Sequence, residues 1–163
     1  MIPHRTTDPS QPIVDLDEMK AHLRVEDDDE NLLIQSLVDA ATGYLDGYSG
    51  VLGRAIMEQT WTINVDGPGE YLLPLPDVKK VEASAGTVVL RRDGACVIAI
   101  ADQPCAIHFT CALPNALLPA IRQAVKLLAG HWYHNREAVS AVDKSHLPLS
   151  VDALLGAARW SRI

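Results

Sequence analysis

Met57-Glu58-Gln59-Thr60-Trp61-Thr62-Ile63-Asn64-Val65 decides the fold class. Met57, Gln59, Trp61, Ile63 and Val65 alternate with Glu58, Thr60, Thr62 and Asn64. That period of two predicts a strand with one face buried and one face wet. Upstream the period is helical: Leu33, Leu37, Ala40, Ala41, Tyr44 and Tyr48 share a face, and Ser49-Gly50 closes the run, so a long helix is expected over 28–49. Before it, Leu16, Met19 and Leu23 predict a short helix over 15–25, with Asp15 as N-cap, Glu18 as its capping-box partner, and Val14 against Met19 as the staple. Residues 1–13 hold Pro3, Pro9 and Pro12 among polar residues and read as a loose arm.

Downstream, Tyr71-Leu72-Leu73 and Val78 to Val81 are shorter strand candidates. Thr87 to Arg92 and Ala95 to Ile100 flank Asp93-Gly94, a hairpin signal. Cys105, Ile107, Phe109 and Cys111 alternate with Ala106, His108 and Thr110 and give the last strand. Helical spacing returns with Ile121, Val125, Leu128 and Trp132, after Pro119 at a first-turn position, and predicts a helix over 119–137. Small and polar residues at 138–149 read as a linker, and Ser150, with Leu149 and Leu154 as staple, opens a last helix over 150–163. The expected fold is therefore α+β. It is a mainly helical bundle of about four helices, with a small antiparallel sheet (57–112) inserted between the second and third, in one core over 14–137.

The chain has 163 residues, 48% of them hydrophobic, and a formal charge of -7. It is too apolar for a disordered chain, and no run approaches the roughly 18 apolar residues of a membrane helix. Residues 1–50 hold eleven Asp/Glu against three Lys/Arg, densest at Glu26-Asp27-Asp28-Asp29-Glu30. A phosphate-gripping protein needs a basic stripe. An acidic face repels DNA and suits only a surface that DNA slides past. No apolar segment follows the N-terminus, so a signal peptide is not expected, and Cys96, Cys105 and Cys111 read as reduced thiols. On one strand Cys105 and Cys111 stand about 20 Å apart, too far for one bond or one metal.

Asp27 to Glu30 are expected at the N-terminus of the long helix, where the macrodipole favours negative charge. An EF-hand would need a glycine and a closing Glu in a twelve-residue loop, and has neither here. His131, His134 and Glu137 could in principle hold zinc and support a small metal-dependent hydrolase, but the usual i, i+4 histidine pair with its Glu is missing. Nucleophile elbows, phosphate-binding glycine loops and CxxC pairs are absent from the sequence. Arg122 and Lys126 read as a solvated face. No cofactor and no catalysis are expected.

On the last helix Val151, Leu154, Leu155 and Ala158 cluster on one side. Trp160 falls nearly opposite, with Ile163 displaced and Arg159 and Arg162 beside them. Trp and Arg at a chain end are interface anchors, so these eight residues are the expected partner-binding set.

Several segments resemble a known family. Leu16-Asp17-Glu18-Met19-Lys20-Ala21-His22-Leu23-Arg24-Val25 and the acidic run are similar to the opening of the head–tail connector (adaptor) proteins of long-tailed bacteriophages, as is the helix ending Tyr48-Ser49-Gly50. The resemblance continues through Gln59-Thr60-Trp61 and Leu73-Pro74-Leu75-Pro76. It resumes at Pro119 to Val125, His131-Trp132-Tyr133-His134-Asn135-Arg136-Glu137, Leu147-Pro148 and Val151 to Leu155. Relatives occur in prophages and gene-transfer agents. The resemblance implies a non-enzymatic ring, of portal-like symmetry around twelve, beneath the portal protein and above a tail-side neck or stopper protein. DNA passes through such a ring without specific binding, and no membrane is involved. It implies assembly in the bacterial cytoplasm, then residence in the neck of the virion or phage-like particle. On this reading residues 150–163 dock on the portal, Glu26 to Glu30 line the channel, and Trp132, Tyr133, Asn135, Arg136 and Glu137 are structural or lie between subunits. The competing expectation, a DNA-packaging accessory protein, predicts salt-sensitive DNA binding, which the acidic balance opposes.

Overall fold

The Met57–Val65 alternation folds as expected into a strand at Gln59–Val65, where Trp61, Ile63 and Val65 point into a core. A computed structural model describes residues 1–94, 96–135 and 149–160. In chain order the elements are β1 (His4–Thr7), α1 (Leu16–Leu23), α2 (Asn31–Leu45), β2 (Gln59–Val65), β3 (Gly69–Leu72), β4 (Val78–Ala83), β5 (Val88–Asp93), β6 (Cys96–Ala101), β7 (Cys105–Cys111), α3 (Leu118–His134) and α4 (Leu149–Leu155). The α+β class and the four helices agree with the sequence reading. The balance between helix and sheet does not. Among the described residues seven strands form two antiparallel sheets, β1-β2-β7-β4 and β3-β6-β5, so the described fold is rich in sheet rather than mainly helical.

The arm accounts for one of the extra strands. His4, Arg5 and Thr7 pair with Thr62, Trp61 and Thr60, and Arg5 crosses the Trp61 ring at 5.8 Å. Prolines flank the strand without interrupting it, because Pro3 precedes it and Pro9 follows it. The four-stranded sheet turns Trp61, Phe109, Ile63 and Ile107 inward and pairs them in register. The three-stranded sheet turns Val97, Ala99 and Ala101 towards the same core. A second core lies in the helical layer and joins Met19 of α1, Ile34, Val38, Ala41 and Leu45 of α2, Ile121, Val125 and Leu128 of α3, and Val151 and Leu155 of α4.

Asp15 caps α1 as expected, its carboxylate accepting the Glu18 N–H at 2.7 Å. Two details of α2 depart from the sequence reading. The helix starts at Asn31, so Asp27 to Asp29 precede it, and Glu30 occupies the N-cap position without a side-chain capping bond. Its buried stripe is Ile34, Val38, Ala41 and Leu45, one residue out of phase with the expected one. Of the expected solvated pair, Arg122 stays exposed and Lys126 does not. Lys126 pairs with Glu18 at 2.9 Å and Arg122 approaches the same carboxylate at 4.0 Å, tying α3 to α1. The hairpin at Asp93-Gly94 forms, with Asp93 opposite Cys96 and Gly94 at φ +58°.

Candidate assembly surfaces

Sequence reasoning offered three surfaces: the C-terminal helix, the end of α3 and the acidic run. The first changes most. Val151, Leu155 and Ala158 are fully buried in the chain's own helical core, so they are not the partner-facing anchors that were expected. α4 starts at Leu149, which is exposed rather than stapled to Leu154, and ends at Leu155. The helical projection that set Trp160 apart therefore does not extend to it. Trp160 is held by its own chain: its N–H donates to the Leu52 carbonyl at 2.8 Å, and the Arg54 guanidinium lies 5.9 Å from the ring centre. Gly53 makes that seat possible. It has φ +61°, and a Cβ there would stand 2.8 Å from the Trp160 carbonyl oxygen. Arg159 reaches back to Asp152 at 2.6 Å. Leu149, Asp152, Arg159 and part of Trp160 remain at the surface, while Arg162 and Ile163 lie outside the described residues.

Beneath Trp160, Arg54 faces Asp77 at 3.6 Å. Burial raises the Asp77 carboxyl above its usual range against the opposing pull of Arg54 and Arg92. Asp77 also takes a left-handed backbone at φ +59°. The C-terminal segment thus covers a half-buried ion pair that joins the loop after α2 to the start of β4.

At the end of α3 the side chains mostly face inward partners. Trp132 meets Tyr44 of α2 edge-on at 6.4 Å, and the Tyr133 hydroxyl donates to the Glu30 carboxylate. Asn135 Nδ2 donates to the His131 carbonyl at 2.8 Å and closes the helix. His134 turns Nδ1 to the Gly130 carbonyl at 2.8 Å, so that nitrogen carries the proton. His22, His131 and His134 line a cleft of about 550 Å³ with Arg24, Asn135 and Ser150. Burial lowers the His22 pKa, and Lys126 and His134 push it the same way. Among the described residues no three His, Cys, Asp or Glu are grouped to hold a metal ion. Arg136, Glu137 and the 138–148 part of the expected linker lie outside the described residues, so the His131/His134/Glu137 grouping is not complete in view.

The acidic run splits. Glu26, Asp27, Asp28 and Asp29 are exposed in the loop between α1 and α2, while Glu30 turns inward to Tyr133. Asp28 is tied down by Lys20 at 2.6 Å and by Asn31 at 3.0 Å, bonds that lower its pKa.

One group escaped the sequence reading. Asp46, just past α2, accepts the Ile56 N–H at 2.7 Å and Gln59 Nε2 at 2.9 Å through Oδ1, and Arg5 at 3.0 Å through Oδ2. Arg5 also donates to Gln59 Oε1 at 3.1 Å. This buried polar knot joins β1, α2 and β2. No local pattern announces it, because Arg5, Asp46 and Gln59 are isolated polar residues far apart in sequence.

α1, α2 and the first strands thus form one connected unit, and most of it carries a sequence likeness. Residues 13–84 match the Phage gp6-like head-tail connector protein family. The connector match spans α1 through β4, and so holds the acidic loop, the Asp46 carboxylate and the Asp77 pair. Comparison with solved structures extends the likeness in fold to the whole chain. A chain from the neck of an empty gene transfer agent particle, computed with C6 symmetry, superposes with a TM-score of 0.72 at 22% identity, covering 100% of this chain and 97% of that one. A chain of the native gene transfer agent virion gives 0.71 at 22% identity with the same coverage. No curated protein sequence matches the chain.

Proposed function

We propose that this chain is a structural head–tail connector subunit that forms a ring in the neck of a tailed phage or phage-like particle and joins the filled head to the tail. The observation that carries this reading is the connector-family match over 13–84, together with a fold shared end to end with a chain from a gene transfer agent neck. The portal protein is the head-side partner, and a neck or stopper protein the tail-side one. Copies assemble in the bacterial cytoplasm and match the portal's symmetry, around twelve. Glu26, Asp27 and Asp29 suit a channel wall, because exposed carboxylates without a basic stripe repel the phosphate backbone and let DNA pass. At the C-terminus, Leu149, Asp152, Arg159 and the open side of Trp160 form the surface left for the portal, with Arg162 and Ile163 following. Arg136 and Glu137, next to Trp132, Tyr133 and Asn135, serve the contact between subunits. No catalytic step is needed for any of this.

Deleting the gene in the particle-producing cell tests the role. The expected result is DNA-filled heads and finished tails that stay unjoined, restored by the gene supplied in trans. Joined, infectious or gene-transferring particles at the normal yield would contradict it.

A further inference from the structure

We propose that in the assembled ring each copy lends its N-terminal strand to the next, so that Arg5 of one copy fills the Asp46–Gln59 socket of its neighbour. The inference rests on the connector reading and names a joint between copies. β1 lies at the edge of its sheet, and all four of its residues are exposed. Of residues 1–12 only Pro3 is buried. The arm is thus laid on the outside of the domain. It is held by backbone pairing with β2, by the Thr6 hydroxyl donating to the Thr60 carbonyl at 3.2 Å, and by Arg5.

The seat of Arg5 is built entirely by the body of the chain. The Ile56 N–H and Gln59 Nε2 fix Asp46 Oδ1, which turns Oδ2 and Gln59 Oε1 towards the arm. The Trp61 ring closes one side, 5.8 Å from the guanidinium. Socket and plug differ in burial: the Asp46 side chain is 6% accessible and that of Arg5 40%. A buried carboxylate needs a cation. Arg5 is the one Lys or Arg in residues 1–19, and residues 25–53 hold seven acids and no Lys or Arg. The socket therefore fits a guanidinium arriving from solvent, whichever copy carries it.

The linker behind the plug gives little preference for the chain's own socket. Asp8 to Pro12 are mostly exposed, and Asp8 and Gln11 are biased towards extended backbone by the prolines that follow them. Asp8 pairs with Arg5 at 2.9 Å and travels with it. The linker does not pack on α2. A cleft of about 530 Å³ lies between them, lined by Pro9, Gln11 and Pro12 on one side and by Asp39, Thr42 and Gly43 on the other. A Cβ at Gly43 would meet nothing within 4 Å, so the gap is open there.

Exchange of an identical segment keeps every contact and changes only the copy that makes it, so it joins subunits at low cost. In the free chain the short linker holds the arm at an effective concentration of about 1 mM, and its own socket wins over those of other molecules. A ring holds the neighbour's socket at a comparable concentration. Head-to-tail exchange around a closed ring then leaves no arm loose and no socket empty.

The test uses Thr6 and Thr62, whose hydroxyls lie 3.4 Å apart across the β1–β2 joint. Cys96→Ser and Cys105→Ala remove the two accessible thiols. Cys111 is fully buried, and burial pushes its thiol up to about 12. A chain carrying both Thr6→Cys and Thr62→Cys is oxidised as the free protein and in necks isolated from the producing cell. The expected result is an internally bridged monomer from the free chain and, from the necks, a ladder of covalent oligomers that reduction collapses. Necks that hold the chain but give only monomer, bridged or not, would overturn the exchange. Wild-type necks that lack the chain altogether would overturn the connector reading itself, and this inference with it. A second readout divides the pair, with Thr6→Cys and Thr62→Cys chains produced together. Disulfide-linked dimers are expected in these mixed necks and not in necks of either single variant; their absence from the mixture would contradict the exchange.

Discussion

Replacing Asp46 with alanine is expected to destabilise the protein by about 2–5 kcal/mol, because two buried donors lose their acceptor. The carboxylate is almost fully buried and serves three donors on three segments: the Ile56 N–H, the Gln59 amide and Arg5. Arg5 is partly exposed and recovers some hydration when its partner goes. Gln59 does not, being 1% accessible. Each buried donor stranded in this way costs about 1–3 kcal/mol, so the Ile56 and Gln59 groups account for most of the loss. Asp46→Asn keeps a carbonyl acceptor for one of them and is expected to lose less. Urea unfolding checks both: the midpoint of Asp46→Ala should fall with an unchanged m-value. Hydrogen exchange should show β1 opening first, since Arg5 is its tie to α2. A loss below about 1 kcal/mol would show that the knot does not hold the arm.

Leu155→Ala is expected to cost about 2–5 kcal/mol, the range for a large-to-small change at a site that collapses poorly. Leu155 is fully buried in the helical core, where α4 packs on α3, and the residues after its helix are anchored through Trp160 to Leu52 and Arg54. The prediction separates two roles for the C-terminal segment. A helix that served only to grip a partner could lose Leu155 with no change in the free chain's stability. A helix that completes the core could not. Thermal or urea unfolding of the isolated protein decides between them, and an unchanged midpoint would restore the partner-only role.

The two cases also show what was legible in the sequence. Strands at 59–65 and 105–111 could be read directly, because half-buried strands write their two faces as an alternation. What alternation does not record is the partner. β2 pairs with β7 some forty residues later, and β3 joins β6 and β5 instead, so the division into two sheets was beyond local pattern. The arm was misread for the same reason: a four-residue strand with Arg5 pointing at Asp46 has no periodicity to show. α2 misled in another way. With Leu33, Ile34, Leu37, Val38, Ala40 and Ala41 all apolar, period alone cannot choose between two adjoining stripes, and the choice depends on where α3 packs. Trp160 was projected onto a helix that had already ended at Leu155. Of the candidate surfaces, the acidic loop was legible as a run of charge and stays exposed from Glu26 to Asp29. The polar knot and the Arg54–Asp77 pair under Trp160 were not, since each exists only once distant segments meet.

The most direct test of the connector assignment is cryo-electron microscopy of necks from particles made by the native host, with this chain identified by fitting its two-sheet, four-helix fold. The account predicts a closed ring of many identical copies between the head vertex and the tail, with the acidic loops at Glu26 to Asp29 towards the DNA. A complete neck in which this chain is absent, or present as a single peripheral copy, would contradict it.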